Sequence, residues 1–162
     1  MKFMIVGSGA REHAIAENAI KCGYDVYSAS EMRNPGLLEV SKELFVTDIL
    51  NGKAVCDVAR KVRPDVIFIG SEESLFAGVS DALRNEGFMV IGASKAAADI
   101  EKSKGFMRRL MEKNSMYGRL RFKTFNSIEE ASRYIDEYAG SVAIKPTRQA
   151  GGKGVKVIAD LQ

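Results

Sequence analysis

Residues 145–155 read Lys-Pro-Thr-Arg-Gln-Ala-Gly-Gly-Lys-Gly-Val, with the apolar runs 142–144 and 155–158 on either side. Two short apolar strands joined by a glycine-rich, doubly basic loop can wrap backbone N–H groups around a phosphate chain while lysines neutralise its charge. The pattern points to a nucleotide. Such a loop is normally a lid within a larger nucleotide-binding domain, and the sequence stops eight residues after Gly154. The expectation is therefore a chain that carries part of a site.

A second group lies near the N-terminus, where Gly7-Ser8-Gly9-Ala10-Arg11-Glu12-His13 joins an apolar run to a helical pattern. A phosphate placed there would face free N–H groups at a helix N-terminus. Read as a dinucleotide fingerprint the segment fails at its third glycine, which is Glu12. No acidic residue clearly ends the second strand either: Ser28, Ala29 and Ser30 occupy the region before Glu31, where a ribose-binding carboxylate would be needed. The glycines serve equally as a tight strand-to-helix turn, and Arg11 tips the reading towards an anion. A third group, Gly70-Ser71-Glu72-Glu73-Ser74, follows an apolar run, at the carboxyl edge where ligands settle in open α/β sheets. Glu73 reads as a first-turn helix charge, Glu72 as a functional group. His13 is the sole histidine, which excludes His-pair metal motifs and a Ser-His-Asp set, so it reads as structural. No catalytic side chain and no metal ligand is assigned. Lys102, Lys104, Arg108, Arg109 and Lys113 form a basic helix face of the kind usually solvated.

These groups need elements to hold them. Apolar runs at 3–6, 26–29, 44–46, 66–69 and 88–91 alternate with helical patterns. The helices show apolar positions at Ile15, Ala16, Ala19 and Ile20, then Val55, Val58, Ala59 and Val62 with a stop at Pro64, then Leu75, Phe76, Val79, Ala82 and Leu83. Strands alternating with helices imply right-handed crossovers and a doubly wound parallel sheet, an α/β fold, over residues 1–100. Residues 101–162 read as a connector helix buried through Phe106, Met107, Leu110 and Met111, followed by a partial α+β unit. That unit contains a strand at 122–125, a helix opened by the capping box Ser127-x-x-Glu130 with Ile128, Ala131, Ile135 and Tyr138 on one face, and the strand–loop–strand.

With 162 residues and 46% apolar composition the chain can bury a core. A net charge of +3, from 24 basic and 21 acidic residues, is too balanced for a nucleic-acid surface and suits a small anionic ligand. Cys22 and Cys56, lacking any Cys-x-x-Cys spacing, read as two reduced, buried thiols. No signal segment or run of about 20 apolar residues is present, so a cytoplasmic location is expected and no membrane.

In order and spacing, four segments resemble the N-terminal part of the phosphoribosylamine-glycine ligase family, the glycinamide ribonucleotide synthetases, ATP-grasp enzymes of purine biosynthesis. They are Gly-Ser-Gly-Ala-Arg-Glu-His-Ala at 7–14; Arg63-Pro64-Asp65 through Gly70-Ser71-Glu72-Glu73-Ser74-Leu75; Gly92-Ala93-Ser94-Lys95 with Glu101-Lys102-Ser103-Lys104-Gly105-Phe106; and the run 145–155. The resemblance implies a Rossmann-like pre-ATP-grasp substrate domain over 1–100 and an incomplete ATP-grasp small subdomain over 101–162. It implies ATP, glycine and phosphoribosylamine as ligands of a complete enzyme, with an acyl phosphate of glycine attacked by the amine of phosphoribosylamine. Lys104, Lys145, Gly151, Gly152, Lys153, Gly154 and Val155 are implied on the ATP side, and Gly7, Gly9, Arg11 and Glu72 on the ribosyl-phosphate side.

Two departures stand out: Ser71 replaces a family proline, and Thr147-Arg148-Gln149 replaces Asp-Gly-Leu, removing a glycine and adding a cation to the lid. The family's magnesium-binding carboxylates fall beyond residue 162, so magnesium belongs to the complete enzyme and catalysis by this chain alone is not expected. The implied partner is a polypeptide carrying the ATP-grasp remainder, or a second copy joined through residues 120–162. The competing expectation is a non-catalytic protein that binds a phosphorylated metabolite or nucleotide. A nicotinamide-dependent module is disfavoured by Glu12 and by the ambiguous acid at the end of the second strand.

Overall fold

A computed structural model of the chain describes residues 1–138, 140–147 and 154–158. It divides into two compact units, Met1–Ala98 and Asp99–Gln162.

The first unit is α/β, as expected. Strands β1 (Lys2–Val6), β2 (Asp25–Ser30), β3 (Glu43–Val46), β4 (Val66–Ile69) and β5 (Val90–Ile91) pair in parallel in the order β3-β2-β1-β4-β5. Consecutive strand residues point to opposite faces, so the apolar run of β1 feeds two cores. Met4 and Val6 join Ile67, Ile69, Val55, Val58, Ala59, Val62, Val79 and Leu83. Ile5 joins Ala16, Ala19, Val26 and Leu37. Helices α1 (Ala10–Lys21) and α2 (Pro35–Val40) contribute to the second of these cores, and α3 (Gly52–Val62) and α5 (Val79–Asn85) to the first. The sheet is thus covered on both faces, which is why its central strands are apolar runs rather than alternating ones.

Four local details depart from the sequence reading. The helical stripe from Leu75 to Leu83 is interrupted: α4 (Glu72–Ala77) ends at Gly78, whose φ of +87° in the left-handed region starts α5 on a new axis. The fifth strand shrinks to Val90–Ile91. Helix α2 went unread; it starts at Asn34-Pro35, with Asn34 Oδ1 accepting from Leu37 N at 3.1 Å and Pro35 at the first turn. Cys56 is buried as expected, but Cys22 is exposed, because it caps α1 where the helix ends rather than lying on its apolar face. At the end of α3, Arg63 takes φ 50°, the left-handed conformation that lets the chain turn into Pro64.

The second unit contains α7 (Lys104–Lys113), α8 (Ile128–Glu137) and the antiparallel pair β6 (Val142–Ile144) and β7 (Lys156–Ile158), with Ile144 opposite Lys156. Helix α6 (Lys95–Lys102) precedes α7. Ser103 and Ser127 cap α7 and α8, accepting from Phe106 N at 3.2 Å and Glu130 N at 3.1 Å. The expected strand at 122–125 does not form: no strand partner lies beside it among the described residues, and Phe125 turns its ring onto Tyr134 instead, centroids 5.3 Å apart. The expected burial of the connector helix is also not met. Phe106 is exposed and Met107, Leu110 and Met111 are half-buried. Ile128, expected on the packed face of α8, is 79% exposed, because it sits in the helix's first turn.

No helix among the described residues is long and apolar enough to cross a membrane.

Candidate functional site

Strand order reverses at β1, which has β2 on one side and β4 on the other, and the carboxyl ends of β1 and β4 therefore open a crevice at the topological switch point. A cavity of about 370 Å³ lies there, lined among others by Ser8, Gly9, Arg11, Glu31, Gly70 and Glu72. The register Val6↔Ile69 puts Gly7 and Gly70 side by side at its floor.

Glu12 organises this floor. It is 5% exposed, and its Oε2 accepts from Gly9 N at 2.7 Å. A Cβ added to Gly7 would stand 2.5 Å from Glu12 Cγ, and one added to Gly70 would stand 2.6 Å from the same atom. Both glycines are thus required by the close approach of the Glu12 side chain. Sequence reading registered Glu12 only as a missing third glycine; the signal it missed was two glycines at adjacent strand ends facing one long side chain.

Arg11 lies at the rim. Its guanidinium donates to Gly70 O at 3.1 Å and to Glu72 Oε1 at 3.0 Å, clamping the start of α1 to the end of β4. Hydrogen bonding from its own backbone N–H, and then from Arg11, holds the Glu72 carboxyl below the usual carboxylate range. Ser71 Oγ accepts from Ser74 N at 3.3 Å and caps α4, a role that the proline of the family pattern could not fill through its side chain. On the opposite wall Ser8 Oγ accepts from Glu31 N at 2.9 Å and from Ser30 Oγ at 3.0 Å, while Asn34 Nδ2 donates to Ser8 O at 3.0 Å. These bonds fix the first turn to the end of β2 and carry Glu31 to the cavity wall. His13 packs against Gly36, where a Cβ would meet its ring at 2.5 Å, and its Nε2 lies 3.5 Å from Glu17 Oε1.

Of the sequence-derived site residues, Gly9, Arg11 and Glu72 line one cavity and Gly7 lies beneath it. The titratable lining is Glu12, Glu31, Glu72 and Glu73 against Arg11. The cavity is acidic overall, and its arginine is already engaged with a carboxylate.

The other group of residues belongs to the second unit. Lys145 follows β6, and Gly154 and Val155 precede β7, so a hairpin carries both ends of the glycine-rich loop. Lys104 N donates to Thr147 O at 3.1 Å, tying the first turn of α7 to the loop's entry. A Cβ on Gly154 would stand 3.1 Å from Pro146 Cγ, so the two ends of the loop meet closely. Gly151, Gly152 and Lys153 lie outside the described residues. Cationic side chains and loop backbone are the donor set a phosphate chain requires. Among the described residues no group of three or more His, Cys, Asp or Glu side chains is placed to hold a metal ion.

Residues 1–101 match the family described as phosphoribosylglycinamide synthetase, N domain, and residues 102–162 match its ATP-grasp (A) domain. A phosphoribosylamine–glycine ligase of Pyrococcus horikoshii is 41% identical over 158 residues, which cover 98% of this chain and 36% of that protein. One of Methanosphaera stadtmanae is 41% identical over 160 residues, again 36% of its length. The crystal structure of a phosphoribosylamine–glycine ligase from Thermotoga maritima superposes with a TM-score of 0.70 at 26% identity, covering 99% of this chain and 36% of that one. An N5-carboxyaminoimidazole ribonucleotide synthetase from the same organism, at 21% identity and TM-score 0.71, shares the fold. The chain spans about 36% of the length of the curated relatives it matches.

The chain belongs to the phosphoribosylglycinamide synthetase family.

Proposed function

We propose that this family member supplies the phosphoribosylamine-binding part, and the first portion of the ATP-grasp part, of a ligase that joins glycine to phosphoribosylamine in purine biosynthesis. The observation that carries the reading is the cavity at the switch point, where Gly9, Arg11 and Glu72 come together from the turn after β1, from α1 and from α4. In the reaction the carboxylate of glycine takes the γ-phosphoryl group of ATP, and the amine of phosphoribosylamine displaces phosphate to form the amide. The N-terminal unit would bind and orient the ribosylamine. Glu72 and Glu12 offer acceptors for hydroxyl or amine hydrogens, and Arg11 would hold Glu72 ionised and turned into the site. Orientation of this kind is the main protein contribution when the reacting partner is already activated.

On the ATP side Lys104 and Lys145 would neutralise phosphate charge, and the loop through Gly151, Gly152, Lys153, Gly154 and Val155 would close over it. ATP is the implied cofactor, and magnesium would be held by carboxylates of the remaining ATP-grasp portion, supplied by a partner polypeptide or by further sequence. The small substrates of such a ligase suit a cytoplasmic enzyme.

The test is reconstitution. This chain alone should give no ATP-dependent formation of phosphoribosylglycinamide, and adding the ATP-grasp remainder of the Pyrococcus horikoshii relative should produce it. Glu72→Ala should abolish the reconstituted activity while leaving ATP binding intact. Activity that survives Glu72→Ala unchanged would move the substrate site elsewhere.

A further inference from the structure

The cavity's most unusual feature is a buried carboxylate where a glycine turn ordinarily receives a phosphate. On a strand–turn–helix of this kind the third glycine of the fingerprint allows close helix–strand packing, and the free N–H groups of the turn face a diphosphate. Here the third position is Glu12, and Oε2 of Glu12 takes the Gly9 N–H at 2.7 Å. The side chain occupies the space above Gly7 and Gly70, as the 2.5 and 2.6 Å approaches of its Cγ to their missing Cβ positions record. It is 5% exposed, so it is a fixed part of the cavity floor. Glu31, which follows β2 and lines the same cavity, stands where a dinucleotide fold places its ribose-binding acid. Apart from Glu12, the unit therefore carries the turn, the first two glycines and the acid of a dinucleotide site.

We propose that Glu12 is the specificity-determining residue of this cavity: its carboxylate takes the place of a diphosphate on the glycine turn, so that the site rejects nucleoside diphosphates and accepts a ligand presenting hydroxyl or amine hydrogens. The proposal deepens the phosphoribosylamine reading and rests on it for the identity of the accepted ligand. Its exclusion half stands on Glu12 alone. A ligand bringing two phosphates to the turn meets a filled volume, an N–H already bonded, and a like charge. A ribosylamine needs none of that space, and its amine and hydroxyls can donate to Glu12 and Glu72. The ligand's own phosphate would then lie away from the turn.

The experiment is calorimetric titration of the full chain, wild type and Glu12→Ala, with two probes: ADP-ribose, a diphosphate carrying a ribose, and ribose 5-phosphate. Wild type should not bind ADP-ribose at millimolar concentration, and Glu12→Ala should bind it at least about tenfold more tightly than wild type. Glu12→Asp retracts the carboxylate by one methylene and keeps its charge. It serves as the second variant should the alanine protein fail to fold, and it too should gain ADP-ribose binding. Binding of ADP-ribose by wild type, or no gain in a folded Glu12 variant, overturns the proposal. Failure of wild type to bind ribose 5-phosphate would instead count against the reading of the accepted ligand, and it is read from a separate titration.

Discussion

Within one chain, Met1–Ala98 and Asp99–Gln162 solve the burial problem differently. Every buried hydrophobic side chain among the described residues lies in the first unit, from Met4 to Ala98. In the second, α8 has no buried residue, and Val157 of β7 is 70% exposed. Its rings gather instead on one another: Tyr134 lies 5.3 Å from Phe125 and 5.8 Å from Tyr138, with Lys123 Nζ 4.5 Å from the Tyr134 centroid. Such contacts contribute about 0.5–1.5 kcal/mol each, much less than a sheet packed on both faces. The lesson is that the first unit holds its site by its own core. The second, whose loop and lysines are proposed to bind phosphate, leaves α8 and Val157 unburied, in keeping with the proposed need for further ATP-grasp structure.

The largest effect should come from the core. Ile67→Ala empties a fully buried position of β4 and should cost about 2–5 kcal/mol in denaturant unfolding, whereas Ile128→Ala on exposed α8 should stay within about 0.5 kcal/mol. Equal costs would break the contrast between the units. Next comes ligand binding. Arg11→Ala should weaken ribose 5-phosphate binding by about 1.5–3 kcal/mol, the scale of a hydrogen bond to a charged group, while Lys145→Ala leaves it unchanged by calorimetry. An equal loss in both variants would deny that the ribosyl site belongs to the first unit.

Gly70→Ala should destabilise by about 1–3 kcal/mol through collision with Glu12, and Glu12→Ala in the same chain should return part of it. Additive costs in that double-mutant cycle would remove Glu12 as the reason for the glycine.

The smallest effect is one of pH. The Glu72 carboxyl has a depressed folded-state pKa, so its contribution is fully present above the unfolded carboxylate pKa and is lost as pH falls through the folded value. For this partly exposed pair the difference between wild type and Glu72→Gln should be about 1 kcal/mol or less at pH 7, vanishing in the acid range, by thermal unfolding across pH. A difference that grows on acidification would reverse the assigned sign. Alkylation probes burial within the first unit without mutation. Burial, with Glu86 adding to it, pushes the Cys56 thiol up to about 11, so at pH 8 exposed Cys22 should react and Cys56 should wait for unfolding.

How far the sequence reveals this molecule follows from the range of the forces involved. The central strands were legible because a strand buried on both faces must be apolar throughout, as 3–6 and 66–69 are. Their neighbours followed from helical spacing such as Val55, Val58, Ala59 and Val62. The break at Gly78 and the helix at Asn34-Pro35 depend on single residues whose signals are short, and they were overrun by the stronger periodicity around them. The strand expected at 122–125 failed for the opposite reason, since a segment with the aromatic and β-branched residues of Phe122-Lys123-Thr124-Phe125 becomes a strand only where a partner edge exists. In the site, Gly9, Arg11 and Glu72 could be found at the ends of apolar runs. The burial of Glu12 could not, because it depends on Gly7 and Gly70 becoming neighbours from positions 63 residues apart.

The most direct measurement is a titration of the isotope-labelled chain with ribose 5-phosphate, followed by amide chemical shifts. Shifts concentrated at Ser8, Gly9, Gly70 and Ser71, with those of α7, α8 and β7 unmoved, are expected if the first unit alone holds the ribosyl site. Shifts confined to the second unit, or none at saturating ligand, would contradict it.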